Sequence, residues 1–313
     1  MKEIVVIAGG SGIIGTYLTQ LLSKEGYQVL ILTRNEVNAS QDKGFIHWDI
    51  DDQYIDPSIE QADHIINLAG SGIADGRWTK ARKKEIIESR VKTTALLAKT
   101  IKDKELSIKS YVSASAIGYY GDGGTEHLTE ERGVVTKEFL SDVCVAWEKA
   151  ALEVKDIVDH LSIIRIGTVL SPEGGALEKM TPTIPLGVAN YLGNGRQLMS
   201  WIHLHDVSKM FVHMIQNKLK GIYNGVAPEV LTNRDFTQLL KNTINSKAVL
   251  LPAPSLGIKM VFGEMSRVVL NSSNISSKKI SDTGFSFDYP TLQKALDQLH
   301  PRKYACQKPR SPY

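Results

Sequence analysis

Cysteine is almost missing: Cys144 and Cys306 are the only two in 313 residues. Two cysteines build no disulfide framework and fit no zinc spacing, so a reducing, cytoplasmic setting is expected. Long apolar runs are missing too. No stretch approaches 18 consecutive apolar residues, which excludes a membrane-spanning helix. The opening MKEIVVIAGG has too short an apolar run for a secretory leader, carries Glu3 inside it, and passes straight into glycine. An excess of charge of one sign is also absent. There are 37 Lys plus Arg against 34 Asp plus Glu, a net of +3. Arg302, Lys303, Lys308 and Arg310 lie in the last 13 residues, which hold no acid. The basic balance therefore belongs to the tail, and neither a nucleic-acid nor a membrane partner is expected. No repeat of fixed period and no low-complexity block is found.

What is present is ordinary globular material, 42% apolar and 23% charged. Its length suits two domains or one large one. Residues 3–8 (EIVVIA) form a β-branched run of the kind expected for a parallel strand buried on both faces. A helix follows, with Leu18, Leu21 and Leu22 at helical spacing and Gly26 to stop it. Further strands are expected at 27–34, 45–50, 63–70, 107–116 and 160–170, and helices at 79–102 and 136–158. Strands alternating with helices give right-handed βαβ units and a doubly wound parallel sheet, an α/β fold of the Rossmann type. After about 170 the rhythm breaks. Pro172, Pro182 and Pro185 accompany Gly174, Gly175, Gly187, Gly193 and Gly195. A strand end and helix return at 201–216, with Asp206 as the expected cap, and a strand at 221–227. The expected domains are residues 1–168 plus 201–227 for the sheet, and 169–200 plus 228–300 for a smaller C-terminal substrate-side domain. A basic flexible tail is expected at 301–313.

Gly9, Gly12 and Gly15 have the spacing G-x-x-G-x-x-G, set between the first strand and the first helix. A turn there needs positive φ. Backbone N–H groups must approach a pyrophosphate closely, and the helix N-terminus supplies partial positive charge. After the second strand the dinucleotide fingerprint expects an acid for the ribose 2′-hydroxyl, but Thr33-Arg34 stands there. A guanidinium matches a phosphate bidentately, which favours NADP over NAD. Asn67-Leu68-Ala69-Gly70 closes the fourth expected strand with small residues beside the cofactor path.

These stretches, with the serine-bearing strand at 107–116 and WIHLHDV at 201–207, resemble an extended short-chain dehydrogenase/reductase of the NAD(P)-dependent epimerase/dehydratase superfamily. Gly76-Arg77-Trp78, KKEIIESR (83–90), Trp147-Glu148, GNGRQ (193–197), LPAPS (251–255), FGEM (262–265) and TGFSFDYP (283–290) are similar to the bacterial epimerase-family proteins of the YfhF type. The resemblance implies NADP (NADPH) as cofactor. Its diphosphate loop would be Gly9, Gly10, Ser11, Gly12, Ile13, Ile14 and Gly15. Thr33 and Arg34 would meet the 2′-phosphate, and Leu68, Ala69 and Gly70 the ribose and nicotinamide. Glu85, Arg90, Ser113 and Val169 would be further cofactor-side positions. Without the resemblance, Glu85 and Arg90 read as an exposed charge pair on a helix.

The superfamily couples hydride transfer to a Ser or Thr and a Tyr-x-x-x-Lys pair. Ser115 matches the serine. The Tyr-x-x-x-Lys pair is absent: its two positions fall on Leu140 and Cys144 or on Cys144 and Glu148, depending on alignment. Tyr119 or Tyr120 could replace the acid, or Glu148 or His203 could act. Cys144 reads as a small buried hydrophobe. Arg196 and His203 are the substrate-side candidates, Arg196 as a clamp for an anionic group. His203 and His205, two apart on a strand-like stretch, point the same way, but no partner at ligand spacing makes them a metal site. The expectation is an NADP-dependent oxidoreductase or epimerase-like enzyme for a small polar, nucleotide-sugar-like molecule. The alternative is a regulatory or sensor protein that binds NADP without turnover. A monomer or homodimer is expected.

Overall fold

The computed structural model describes residues 2–42 and 44–299, so the tail expected at 301–313 lies outside the described residues. In chain order the first half contains β1 (Ile4–Ala8), α1 (Ile13–Lys24), β2 (Gln28–Thr33), α2 (Glu36–Gln41), β3 (Phe45–Asp49) and β4 (Tyr54–Ile55). It continues through β5 (His64–Asn67), α3 (Lys80–Asp103), β6 (Ser110–Ala116), β7 (His127–Leu128), α4 (Phe139–Leu152) and β8 (His160–Ile166). The aliphatic runs take the centre, as two-sided burial requires: Val5, Val6, Ile7, Ile65 and Ile66 are fully buried. On α1, Leu18 and Leu22 stack one turn apart and face the sheet. The 24-residue α3 starts at Thr79, whose side chain accepts from the Arg82 N–H, and buries Ile86, Thr94, Leu97 and Ile101.

The second half contains β9 (Thr168–Ser171), β10 (Gly174–Gly175), α5 (Ala176–Met180), β11 (Val188–Leu192), β12 (Leu198–Met199), β13 (Trp201–His203), α6 (Leu204–Gln216) and β14 (Gly221–Gly225). It ends with β15 (Leu231–Thr232), α7 (Asn233–Ile244), β16 (Val249–Ala253), α8 (Ser255–Phe262), α9 (Arg267–Leu270), β17 (Asn274–Ile275), α10 (Lys278–Ser281) and α11 (Leu292–Leu299).

The central sheet has the order β14-β8-β6-β5-β1-β2-β3-β4. Its strands run parallel except for the short β4, which pairs antiparallel with β3. Strand order reverses between β1 and β5, which makes that crevice the topological switch point. A separate apolar core joins the C-terminal elements. Phe236 and Leu240 on α7 meet Leu292, Ala295, Leu296 and Leu299 on α11, with Trp201 and Leu170 beneath. The spacing of the α11 residues puts them all on one helix face.

Two sequence expectations shift. The strand expected over 160–170 breaks at Gly167, where an added Cβ would lie 2.8 Å from Val226 and 2.9 Å from the Ser200 carbonyl. There the chain leaves the central sheet and enters the small sheet β10-β9-β13. Consequently β13, expected in the doubly wound part, pairs with β9 instead, and only α6 and β14 return to the central layer. The α6 cap also differs. The cap is His203, not Asp206: its side chain accepts the His205 N–H of the first turn. The Asp206 carboxylate instead accepts the Asp288 and Tyr289 amides, both at 2.9 Å, tying that segment to the helix.

Candidate active site

The glycine loop sits at the switch point. Gly9 takes φ of 81°, and a Cβ there would lie 2.8 Å from the Leu68 carbonyl carbon at the end of β5. A Cβ on Gly10 would strike Ile31 at 2.7 Å, and one on Gly15 would reach the Gly10 Cα at 2.6 Å. Backbone and helix start are thus in direct contact, and only glycine fits. Gly12 differs: its Cβ would meet only the Gly9 carbonyl oxygen, at 3.4 Å, and it caps α1 with no side-chain hydrogen bond. The Gly12 N–H closes the turn on the Gly9 carbonyl at 3.2 Å, and among the described residues the Ser11, Ile13 and Ile14 N–H groups have no such backbone partner and are left for a ligand. This cradle fits a pyrophosphate.

Asn67 fixes the neighbouring turn. Its amide donates to Thr94 Oγ1 at 2.8 Å and its carbonyl accepts the Ala69 N–H at 3.1 Å. Arg90 lies over the turn: a Cβ on Gly70 would be 2.9 Å from the Arg90 Cζ. Its guanidinium also faces the Trp147 ring, 5.1 Å from the centroid, and donates to the Ile86 carbonyl at 3.0 Å. Burial lowers its pKa, and no carboxylate pairs with it among the described residues. A desolvated, unpaired cation at the end of β5 is suited to an anion. Glu85 is elsewhere on the same helix, exposed and ion-paired with Arg82 at 2.7 Å. Thr33 ends β2, and exposed Arg34 lines a cleft of about 510 Å³ with Asn35, Glu36, His47, Asp49, Asp52 and Tyr54. Ser113 is buried within β6 and donates to the Ala114 carbonyl. Val169, on β9, packs against the central core.

Parallel pairing places Ser115 on β6 opposite Arg165 on β8, and Arg165 opposite Asn224 on β14. The three side chains therefore form a row on one face of the sheet. From α4, Glu148 reaches into the row. Its Oε1 accepts from Ser115 Oγ at 2.7 Å and from Arg165 Nε at 2.8 Å, and its Oε2 accepts from the second arm of the guanidinium at 2.9 Å. All three residues are buried. Burial alone would pull the Arg165 pKa down, but the Glu148 carboxylate outweighs it and holds the guanidinium above its ordinary value.

Of the two alignments left open by the sequence, the structure brings Cys144 and Glu148 to Ser115. Leu140 packs on Gly118 instead. The Cys144 thiol lies against Ser115 and the Ala116 backbone, and burial pushes it up to about 12, so it stays protonated. Tyr120 is removed from the proton-donor candidates. Its hydroxyl is buried, donates to Asn224 Oδ1 at 2.8 Å and accepts from Arg165 at 3.0 Å. Tyr119 is half-buried with its ring 3.4 Å from the Arg165 Cζ. Among the described residues its hydroxyl has no hydrogen-bond partner.

On the substrate side, Arg196 is exposed on its turn. His203 does not offer a free nitrogen. Its Nδ1 accepts the His205 N–H at 3.0 Å and its Nε2 pairs with Gln298 Oε1 at 2.9 Å. Nor do His203 and His205 point together, because the chain turns into α6 between them. His205 instead joins Tyr17 and Asp288, at 3.0 and 2.7 Å. His205, Asp206 and Asp288 approach within 4.8 Å of one another, each already engaged. Sequence reasoning missed Arg165 altogether, and it had one signal: a lone charge inside the apolar strand HLSIIRI must find a buried partner.

Comparison with known proteins agrees with this geometry. Residues 5–225 match the model of the NAD dependent epimerase/dehydratase family, and 253–299 match a domain of unknown function, DUF1731. The human epimerase family protein SDR39U1 is 32% identical over 299 residues, covering 94% of this chain and 99% of that protein. The Bacillus subtilis epimerase family protein YfhF is 30% identical over 94% of this chain and 97% of its own. A crystal structure of the human protein with NADPH superposes with a TM-score of 0.85 at 30% identity, covering 95% of this chain and 99% of that one. Among the described residues no helix is long and apolar enough to cross a membrane.

Proposed function

This chain belongs to the NAD dependent epimerase/dehydratase family, and from that premise we propose that it is an NADPH-dependent oxidoreductase making a single hydride transfer on a small polar substrate. The cofactor reading is supported by the glycine cradle, by Arg34 in place of an acid, and by the human relative solved with NADPH. Gly9 to Gly15 hold the diphosphate, Thr33 and Arg34 the 2′-phosphate, and Arg90 with Leu68, Ala69 and Gly70 the path towards the nicotinamide. NADPH supplies a hydride when bound. Ser115 donates its own proton to Glu148, so towards the substrate it can only accept, from the hydroxyl formed after hydride transfer, and the carbonyl oxygen itself needs another donor. Tyr119 is the proton donor. The single observation carrying this reading is that, of the candidate groups around Ser115, only the Tyr119 hydroxyl is uncommitted. Arg196 stands at the substrate entrance.

The test has two parts. NADPH should bind at least tenfold more tightly than NADH, about 1.4 kcal/mol, and Arg34→Ala should erase that difference. NADPH oxidation over a panel of small carbonyl compounds should then fall at least a hundredfold in Tyr119→Phe and in Ser115→Ala, with NADPH affinity unchanged. A second reading has its own support. The bidentate Glu148–Arg165 bridge and the protonated Cys144 leave the family's usual proton-transfer positions inert, as a sensor that binds NADPH without turnover would. Tight NADPH binding with no oxidation across the panel would select that reading.

A further inference from the structure

Large apolar side chains are exposed unevenly. Leu186, Val249, Leu251, Leu256, Met260 and Val261 are all exposed, Leu186 at 83%, Leu256 at 69% and Met260 at 68%. They lie on adjoining elements. The Val249 N–H bonds the Gly187 carbonyl, which sets Leu186 beside β16, and β16 leads through Pro254 into α8. On β16 the alternation is inverted, since Val249 and Leu251 face solvent while Leu250 packs on the C-terminal core. Leu256 and Met260 lie one turn apart on α8 and share a stripe. An exposed apolar surface of this kind marks a contact site.

Charge narrows the occupant. Residues 236–281 hold six Lys or Arg and one carboxylate, Glu264, and Glu264 is ion-paired with Lys83. Lys247 and Lys259 flank the apolar surface with no ion pair among the described residues. A second copy would bring two such cationic collars face to face across a twofold axis, which opposes pairing. We propose that α8 and the outer face of β16 form a peripheral docking site for an anionic lipid bilayer. Leu256 and Met260 insert at the headgroup boundary, and Lys247 and Lys259 meet lipid phosphates. It is the opposite of the sequence expectation of no membrane partner. It stands independently of the hydride chemistry, although the site adjoins it: Arg77, in the loop between β5 and α3, donates to the Met260 and Val261 carbonyls at the end of α8.

The full chain is sedimented with vesicles of phosphatidylcholine alone and of phosphatidylcholine with one-third phosphatidylglycerol. Binding to the anionic vesicles should exceed binding to the neutral ones at least tenfold, and Leu256→Glu/Met260→Glu should abolish it. The doubly substituted protein should keep its far-ultraviolet circular dichroism and its NADPH affinity, since both side chains are largely in solvent. Lys247→Ala/Lys259→Ala should weaken binding severalfold and blunt its salt dependence. No pelleting with anionic vesicles, or equal pelleting of the glutamate variant, overturns the proposal. So does a dimer in light scattering that the glutamate variant dissolves, because the occupant is then a second copy.

Discussion

The glycine cradle between β1 and α1 and the polar row across β6, β8 and β14 lie over the same edge of one sheet. They are built on opposite plans. The cradle works by what is left out: Gly9, Gly10 and Gly15 clear space, and the Ser11, Ile13 and Ile14 N–H groups have no backbone partner among the described residues. The row works by saturation, with Ser115, Glu148, Arg165, Tyr120 and Asn224 consuming nearly all of one another's hydrogen-bonding capacity. Free donors invite a ligand, whereas a closed network resists one. On the proposed reading, cofactor binding rests on the open cradle, and proton transfer falls to the one open hydroxyl beside the row, that of Tyr119.

The largest effect expected would break the closed end. Arg165→Met leaves the Glu148 carboxylate buried and unpaired, which should cost about 3–5 kcal/mol in urea unfolding. Glu148→Leu/Arg165→Met should recover most of that loss, because an apolar pair of similar volume needs no compensation. If the single change costs under about 1 kcal/mol, water reaches the row and the contrast with the cradle fails. Next comes the open end. Gly15→Ala forces a Cβ against the Gly10 backbone and should destabilise by about 1–3 kcal/mol. It should also abolish NADPH binding in a fluorescence titration, where Arg165→Met, if folded, should retain it.

A smaller effect extends the comparison to His203, another committed group. Its ring is neutral because burial pushes its pKa down from 6.5 to about 4. The unfolded chain therefore takes up the proton first as pH falls. Stability contributed by the neutral ring is whole above pH 6.5 and is lost towards pH 4. Over the first pH unit below 6.5 the loss should be about 1 kcal/mol. His203→Asn, which keeps an acceptor for the His205 N–H, should flatten that slope in thermal melts taken across the range.

Legibility in the sequence follows the same divide. The cradle was readable because glycine at fixed spacing between a strand and a helix has one physical use, and the alternating elements from Ile4 to Ile166 are strongly patterned. Arg34 was readable as a departure from an expected acid. The row was not, because its members come from 115, 120, 148, 165 and 224 and meet only through strand register and the docking of α4. The absence of Tyr-x-x-x-Lys was visible, yet what replaced it depended on which face of β8 carries Arg165. Gly167 misled for a related reason: the apolar run continues through it, and only the crowding by Val226 and Ser200 shows that the chain must leave the sheet there.

Arg165 also bears on how the chain avoids assembling wrongly. Four of the seven residues of β8 are Leu or Ile, and aliphatic parallel strands can slide past one another at little cost. A slip of one residue against β6 would turn the guanidinium to the opposite face, away from Glu148, and strand a charge in hydrocarbon. The single ionic side chain thus acts as a key with one lock, penalising every misthreaded sheet in which α4 and β8 have not met correctly.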